Sequence, residues 1–385
     1  MDFSALSPIS DRIVDDITLS HRQTLGRKLA LHTSKSEPVL KDVNIAIFGV
    51  LENRNSTSYV GNALQLNEIR KVFYELFPGN WTCSIADLGD IQAGETTRDT
   101  YFAVTKVVES LLKQDIIPII IGGSQDLTYA QYRAYDKVKP MINIVNIDKS
   151  FDLGDSSKPI SNQSYIGKII LDKPYNLFNY STLGYQTYFN SQEEIDLMEK
   201  LYFEFYRLGE LRQNIKGVEP AMRDADLVSI DLNAVKSSEV SVNQKFSPNG
   251  FDGTEICSIS RYAGISNKVS SFGIYEYSPS VNDESTSMLI VQMMWYFIEG
   301  FNCRVNDDYF ENKDDFNKYT VLVQDLELVF FKSLKTGRWW IDPPFLNRPN
   351  TKYSNYTLIA CMQQDYDRAI AGEIPERWYK AYKKH

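Results

Sequence analysis

Short apolar runs punctuate the chain, and each closes on or beside a glycine or an acidic residue. They are VNIAIFGV (43–50), CSIADLGDI (83–91), IIPIII (116–121), MINIVNID (141–148), ADLVSIDL (225–232) and VSSFGIYEY (269–277). Runs this brief and this continuously apolar read as strands buried on both faces, the mark of a parallel sheet. Helix-period segments separate them. LNEIRKVFYELF (66–77) is one, and TRDTYFAVTKVVESLLKQ (97–114) carries Val104, Val107, Val108, Leu111 and Leu112 on one face. SQEEIDLMEKLYFEFYRLGELR (191–212) opens with a capping box, Ser191 with Glu194, and places Ile195, Met198, Leu201 and Phe205 along one stripe. A further helix is expected over about 285–299, and residues 1–40 read as helical, with Leu25, Leu29 and Leu31 as a weak apolar face.

Alternation of this kind through residue 300 predicts one α/β domain over 1–300, doubly wound, with a mainly parallel sheet and helices on both faces. Ligands of such sheets sit at the carboxyl ends of the strands. Residues 301–385 break the rhythm and read as an appended C-terminal segment packed on or beside the domain. It holds a β-ribbon around Lys335-Thr336-Gly337, then a short helix, a proline break and another helix in DYDRAIAGEIPERWYKAYKKH. Its aromatics Phe330, Phe331, Trp339, Trp340, Phe345 and Trp378 either cover the domain or form an interface for a protein partner or a second copy.

Charge and composition exclude several classes. A net charge of −9 without a basic stripe argues against nucleic acid. The longest apolar stretch, SMLIVQMMWYFIEGF, is too short and too polar to span a bilayer, and the opening MDFSALSPISDRIVDD lacks the pattern of a secretory signal. Cys83, Cys257, Cys303 and Cys361 lie far apart with no CxxC pair, so a cytoplasmic protein with free thiols is expected.

Three predicted strands deliver polar residues to their carboxyl ends. GGSQD supplies Ser124, Gln125 and Asp126; DKSFD supplies Asp148, Ser150 and Asp152; SIDLN supplies Ser229, Asp231 and Asn233. Carboxylates converging on one point repel unless they share a proton or a cation. The plainer reading of the same residues is helix capping and turn formation. GGSQD is neither a dinucleotide fingerprint nor a phosphate-binding loop. Cys257 and the three serines have no neighbouring imidazole to activate them.

The order and spacing of these segments resemble the ureohydrolase family of arginase, agmatinase and formimidoylglutamase, and the likeness spans about residues 40–300. That family carries Gly-Gly-Asp-His, Asp-Ala-His-x-Asp and Ser-x-Asp-x-Asp at its strand ends; here GGSQ, DKSFD and SIDLN stand in that order. GNALQLNEIR (61–70), DLGD (87–90) and YEYSPSVNDEST (275–286) resemble further family segments, and NYSTLGYQTYFN (179–190) resembles the formimidoylglutamase branch. SPNGFDGTE (247–255) resembles the loop that leads to a substrate-facing glutamate, here Glu255.

The resemblance implies a three-layer arginase-like fold and a two-manganese site hydrolysing a guanidino or formimino carbon. Carried over position by position, the metal-holding residues become Gln125, Asp148, Ser150, Asp152, Asp231 and Asn233. Both histidines are replaced and one aspartate has become an amide. The chain has three histidines, His21, His32 and His385, so none lies in the segment that builds the site. The family's active-site histidine is also missing where SNQSYIG (161–167) stands. The expectation is therefore a non-catalytic relative with a structural, regulatory or partner-binding role. No intact dimanganese cluster and no other cofactor is expected; at most one weakly held Mg²⁺, Ca²⁺ or Mn²⁺ would sit among oxygen donors. The competing expectation is an active hydrolase of a formimino or guanidino substrate with an oxygen-only site, in which Asp148, Asp152, Asp231 and Glu255 are the catalytic candidates.

Overall fold

The computed structural model describes residues 2–57, 64–155, 157–240, 247–277, 284–307, 313–343 and 358–384. His385, Phe345 and the 61–63 and 278–283 portions of two family-like segments lie outside these residues.

Nine strands form one sheet: β1 (Ala30–Leu31), β2 (Ile45–Leu51), β3 (Ile85–Gln92), β4 (Ile117–Gly122), β5 (Ile142–Ile147), β6 (Leu177–Tyr185), β7 (Glu204–Arg207), β8 (Leu227–Asp231) and β9 (Ser271–Tyr275). Their order is β1-β3-β2-β4-β9-β8-β5-β6-β7, and every pairing is parallel. The chain builds one half with β1 to β4, setting β4 innermost, crosses to build β5, β6 and β7, then returns to fill the gap with β8 and β9. That return places the carboxyl ends of β4, β9, β8 and β5 side by side at the topological switch.

Alternate strand residues feed two cores, as the pleat requires. Ile45, Ile47, Ile119, Ile121, Val145 and Ile147 join the core beneath the helices Asn67–Glu75, Gly253–Ile265 and Glu284–Asn302. Ala46, Phe48, Ile120 and Ile144 join the opposite core, with Val104, Val107, Val108 and Leu111 of the helix Thr97–Leu112. The doubly wound three-layer architecture thus follows from the runs that predict it. The helices Gly253–Ile265 and Glu284–Asn302 pack so closely that a Cβ on Gly264 would stand 2.1 Å from the Phe297 carbonyl oxygen.

Two expectations need correction. Residues 1–40 are helical only over Asp11–Leu19 and, as a 3₁₀ turn, Leu25–Arg27; the segment then lays β1 beside β3. The long helix expected over 191–212 ends at Lys200. Tyr202 takes a left-handed φ of 53°, and Phe203 N–H closes back on the Met198 carbonyl, a helix stop. Residues 204–207 then pair with β6, which buried-strand aromatics favour over one more helical turn. The strand β6 itself is hidden in the sequence because polar Asn179, Ser181 and Thr182 occupy its buried positions.

The C-terminal segment forms a separate antiparallel sheet, β10 (Phe316–Val323), β11 (Leu326–Ser333), β12 (Trp339–Ile341) and β13 (Ile359–Cys361), in that order. The turn at Lys335-Thr336-Gly337 joins β11 to β12, and a second turn at Gln324-Asp325 joins β10 to β11. One face buries Phe330, Trp339 and Trp378; the other buries Phe331 and Trp340. These aromatics are therefore core. Arg223 of the α/β domain stacks on the Trp340 ring at 4.3 Å and donates to the carbonyls of Trp339 and Cys361. Arg377, on the last helix Glu376–Lys383, pairs with Glu204 of β7 at 3.2 Å and Asp224 at 2.9 Å.

Candidate functional site

β4 ends in two glycines because both neighbours press on it. A Cβ on Gly122 would meet the Tyr275 ring at 2.5 Å, and one on Gly123 the Glu52 carbonyl oxygen at 2.2 Å. The chain then turns Gln125 inward, fully buried. Its backbone N–H donates to Glu276 Oε1 at 2.9 Å, and its Nε2 donates to Asn146 Oδ1 at 2.9 Å. Its Oε1 is buried with no hydrogen-bond partner among the described residues. Asp126, next along, points elsewhere and accepts from Tyr101 and from Asn55.

The DKSFD segment leaves β5 and folds on itself. Ser150 N–H donates to Asp148 Oδ1 at 3.1 Å, and Ser150 Oγ donates to Asp152 Oδ1 at 2.8 Å. Asp152 adopts a left-handed φ of 53°, a conformation aspartate tolerates better than most residues. Its Oδ2 is buried with no partner among the described residues. Asp231, at the end of β8, accepts from the Asn233 N–H at 2.6 Å and from Asn233 Nδ2 at 2.8 Å. Asp148, Asp152 and Asp231 are all buried.

Burial and mutual repulsion dominate the electrostatics. Burial, then Asp148, pushes the Asp152 carboxyl well above the usual carboxylate range. Burial, then Asp148 and Glu276, does the same to Asp231, and Lys149 pulls weakly the other way. Burial also lifts Glu276 to about 7. Lys149 is itself almost buried, its ammonium 4.9 Å from the centre of the Phe189 ring. Among the described residues, no three His, Cys, Asp or Glu side chains stand together as a group able to hold a metal ion.

The structure thus brings Gln125, Asp148, Ser150, Asp152, Asp231 and Asn233 to neighbouring strand ends. Glu255 has another occupation. It sits in the first turn of Gly253–Ile265, where Oε2 accepts from the Asp252 N–H in a capping box and Oε1 accepts from Arg212 Nε at 3.0 Å. His21 packs its ring against Phe77, and His32 bonds the Leu88 carbonyl through Nδ1.

Three residues of the site escape the sequence reading. Asn146, one step before the strand end, bridges Gln125 and Asp148. Glu276 receives the Gln125 N–H, and Asn162 Nδ2 donates to the same Glu276 oxygen at 3.0 Å. Glu276 was within reach, since it is the second residue of the family-like segment YEYSPSVNDEST (275–286). Asn162 falls in SNQSYIG, where the resemblance marks only a missing histidine. Two further family-like segments pair with each other: Arg70 of NEIR forks onto Asp87 at 3.0 Å and Asp90 at 2.8 Å of DLGD.

Residues 43–299 match the sequence model of the arginase family. The formimidoylglutamase of Staphylococcus haemolyticus (strain JCSC1435) is 26% identical over 225 residues, covering 56% of this chain and 71% of that protein. That of Staphylococcus epidermidis (strain ATCC 12228 / FDA PCI 1200) is 25% identical over 239 residues, 59% of this chain and 76% of that one. Among solved structures, formiminoglutamase of Trypanosoma cruzi with Mn²⁺ superposes with a TM-score of 0.62 at 18% identity, over 70% of this chain and 97% of that one. Formimidoylglutamase of Bacillus subtilis subsp. subtilis str. 168 gives 0.65 at 17% identity, over 77% and 99%. At such identities the structural likeness speaks for the fold.

Proposed function

Because this chain belongs to the arginase family, we propose that it is a non-catalytic member of it, retained for a structural, regulatory or partner-binding role. One observation carries this reading. At two positions that would hold metal in the family, the side chains act as hydrogen-bond donors to the remaining carboxylates: Ser150 Oγ to Asp152 and Asn233 Nδ2 to Asp231. A group that presents a hydrogen to a carboxylate replaces part of what a cation would contribute there, and it cannot offer a lone pair in the same direction. The upward shifts of the Asp152 and Asp231 pKa values favour protons in the cluster, which relieves the rest of the repulsion. The donor set does not fit a pair of manganese ions: it has no imidazole, and removing a carboxylate and an imidazole from one dication position leaves that position too poor in charge.

A second reading is an active hydrolase of a formimino or guanidino substrate with a single, oxygen-only cation position. Gln125 Oε1 and Asp152 Oδ2 favour it, since both are buried acceptors without a hydrogen-bond partner among the described residues. A hydrolysis assay separates the two. Full-length protein supplied with Mn²⁺ or Mg²⁺ is offered formimidoylglutamate, agmatine and arginine. Absence of formamide and urea release supports the first reading, and multiple turnover refutes it. The four free thiols are consistent with a cytoplasmic location, which we include in the proposal.

A further inference from the structure

The helices Asp11–Leu19 and Asn67–Glu75 lie side by side and leave a groove of about 330 Å³ between them, on the opposite core's side from the helix Thr97–Leu112. Its floor is apolar: Ile13, Ile17 and Tyr74 are buried members of the core below. Its end is apolar and open, with Leu19 87% exposed. The apolar surface continues past the groove. Phe77 is 55% exposed, carries the His21 ring on its edge and accepts the Trp295 indole N–H at its carbonyl. Leu19 and Phe77 beside the groove give another molecule apolar surface to cover.

The charges on the rim say what kind of molecule. Asp16 and Glu75 line the groove, are exposed, and make no ion pair among the described residues. Lys71, the one cation in the lining among the described residues, is neutralised by Glu68 at 2.6 Å. An apolar slot between two helices, with unpaired carboxylates on both walls, complements an amphipathic helix bearing aliphatic anchors and flanking basic residues. We infer that this groove docks such a basic amphipathic helix of another protein, its aliphatic side chains entering beside Leu19 and its lysines or arginines facing Asp16 and Glu75. The surface is separate from the strand-end cluster, so the inference holds whether or not that cluster hydrolyses anything.

The test uses full-length protein and a fluorescein-labelled helix-forming peptide of about 15 residues built from leucine and lysine at helical spacing. A leucine–glutamate peptide of the same pattern is the control. The leucine–lysine peptide is expected to bind and to slow amide exchange in 11–20 and 67–77. The double reversal Asp16→Lys with Glu75→Lys, and separately Leu19→Ser, should each weaken binding about tenfold or more. These side chains are exposed, so the variants keep the fold; unchanged melting verifies it. Absence of binding, equal binding by the leucine–glutamate peptide or by the reversed variant, or protection confined to other segments would overturn the inference. So would a concentration-dependent dimer abolished by Leu19→Ser, which would give the groove to a second copy of this chain.

Discussion

Ser150 Oγ donates to Asp152 Oδ1 across 2.8 Å, between two residues of the turn that leaves β5. The resemblance puts a metal-binding imidazole at position 150, and the structure puts a hydroxyl hydrogen against a carboxylate there. Removing that hydrogen leaves a buried carboxyl with neither of its oxygens served by a side chain. Ser150→Ala should therefore destabilise the native state by about 1–3 kcal/mol. Urea titration of the variant against the parent chain checks it, and an unchanged midpoint would mean that the bond contributes nothing.

If, as proposed, the substitutions at the family's ligand positions impair metal binding, restoring the family residues should restore it. The triple variant Gln125→His, Ser150→His, Asn233→Asp returns two imidazoles and one carboxylate to a cluster that keeps Asp148, Asp152 and Asp231. Isothermal titration with Mn²⁺ should show binding at least about a hundredfold tighter than in the parent chain, a gain of about 3 kcal/mol. Equal affinity in the two proteins would count against the assignment of these positions.

The pH dependence of stability has a definite sign. Glu276 has an ordinary value of 4.5 and is lifted to about 7, chiefly by burial. The native state thus keeps a proton that the unfolded chain gives up between these values. The contribution is complete below pH 4.5 and is lost as the pH rises through 7. Asp152 and Asp231 are shifted in the same direction. Melting temperature should fall between about pH 5 and pH 8. Glu276→Gln keeps an acceptor for the Gln125 and Asn162 donors and removes the titration, so it should flatten that fall. A variant that melts with the parent's pH profile would assign the slope elsewhere.

The C-terminal sheet is tied to the domain by largely buried ions. Glu204 is buried; burial alone would raise its pKa, but Arg377 and then Lys384 hold it below the ordinary range. Arg377→Met removes the ion pair from Glu204, leaving it the Tyr206 and Asn179 donors, and takes a partner from Asp224; it should cost about 3 kcal/mol. Truncation at residue 300 removes the same partners together with the carbonyls that Arg223 serves. It should lower the melting temperature more than Arg377→Met does, as scanning calorimetry would reveal; a truncated chain melting with the parent would show the extension to be dispensable.

The sheet was legible because its central strands are short and mainly apolar: Ile117–Gly122 is apolar on both faces, and Ile142–Ile147 is interrupted only by Asn143 and Asn146. What stayed hidden has physical reasons. The strand Leu177–Tyr185 buries polar side chains, so no hydrophobic period announces it. The helix stop at Tyr202 depends on a backbone conformation that no glycine signals. Motif order singled out Gln125, Asp148, Ser150, Asp152, Asp231 and Asn233 as the candidate site, and the structure sets them at neighbouring strand ends. Motif order could not reveal that Ser150 and Asn233 donate to their neighbours, because hydrogen-bond direction is set by how the loops fold. Glu255 illustrates the converse: Asp252-x-x-Glu255 is also a capping-box spacing, and the structure uses it as one.

The most direct test is the metal content of full-length protein purified without chelator, incubated with excess Mn²⁺ and freed of unbound ion by gel filtration. The account predicts far less than one tightly held manganese per chain. Two per chain, surviving filtration, would contradict it.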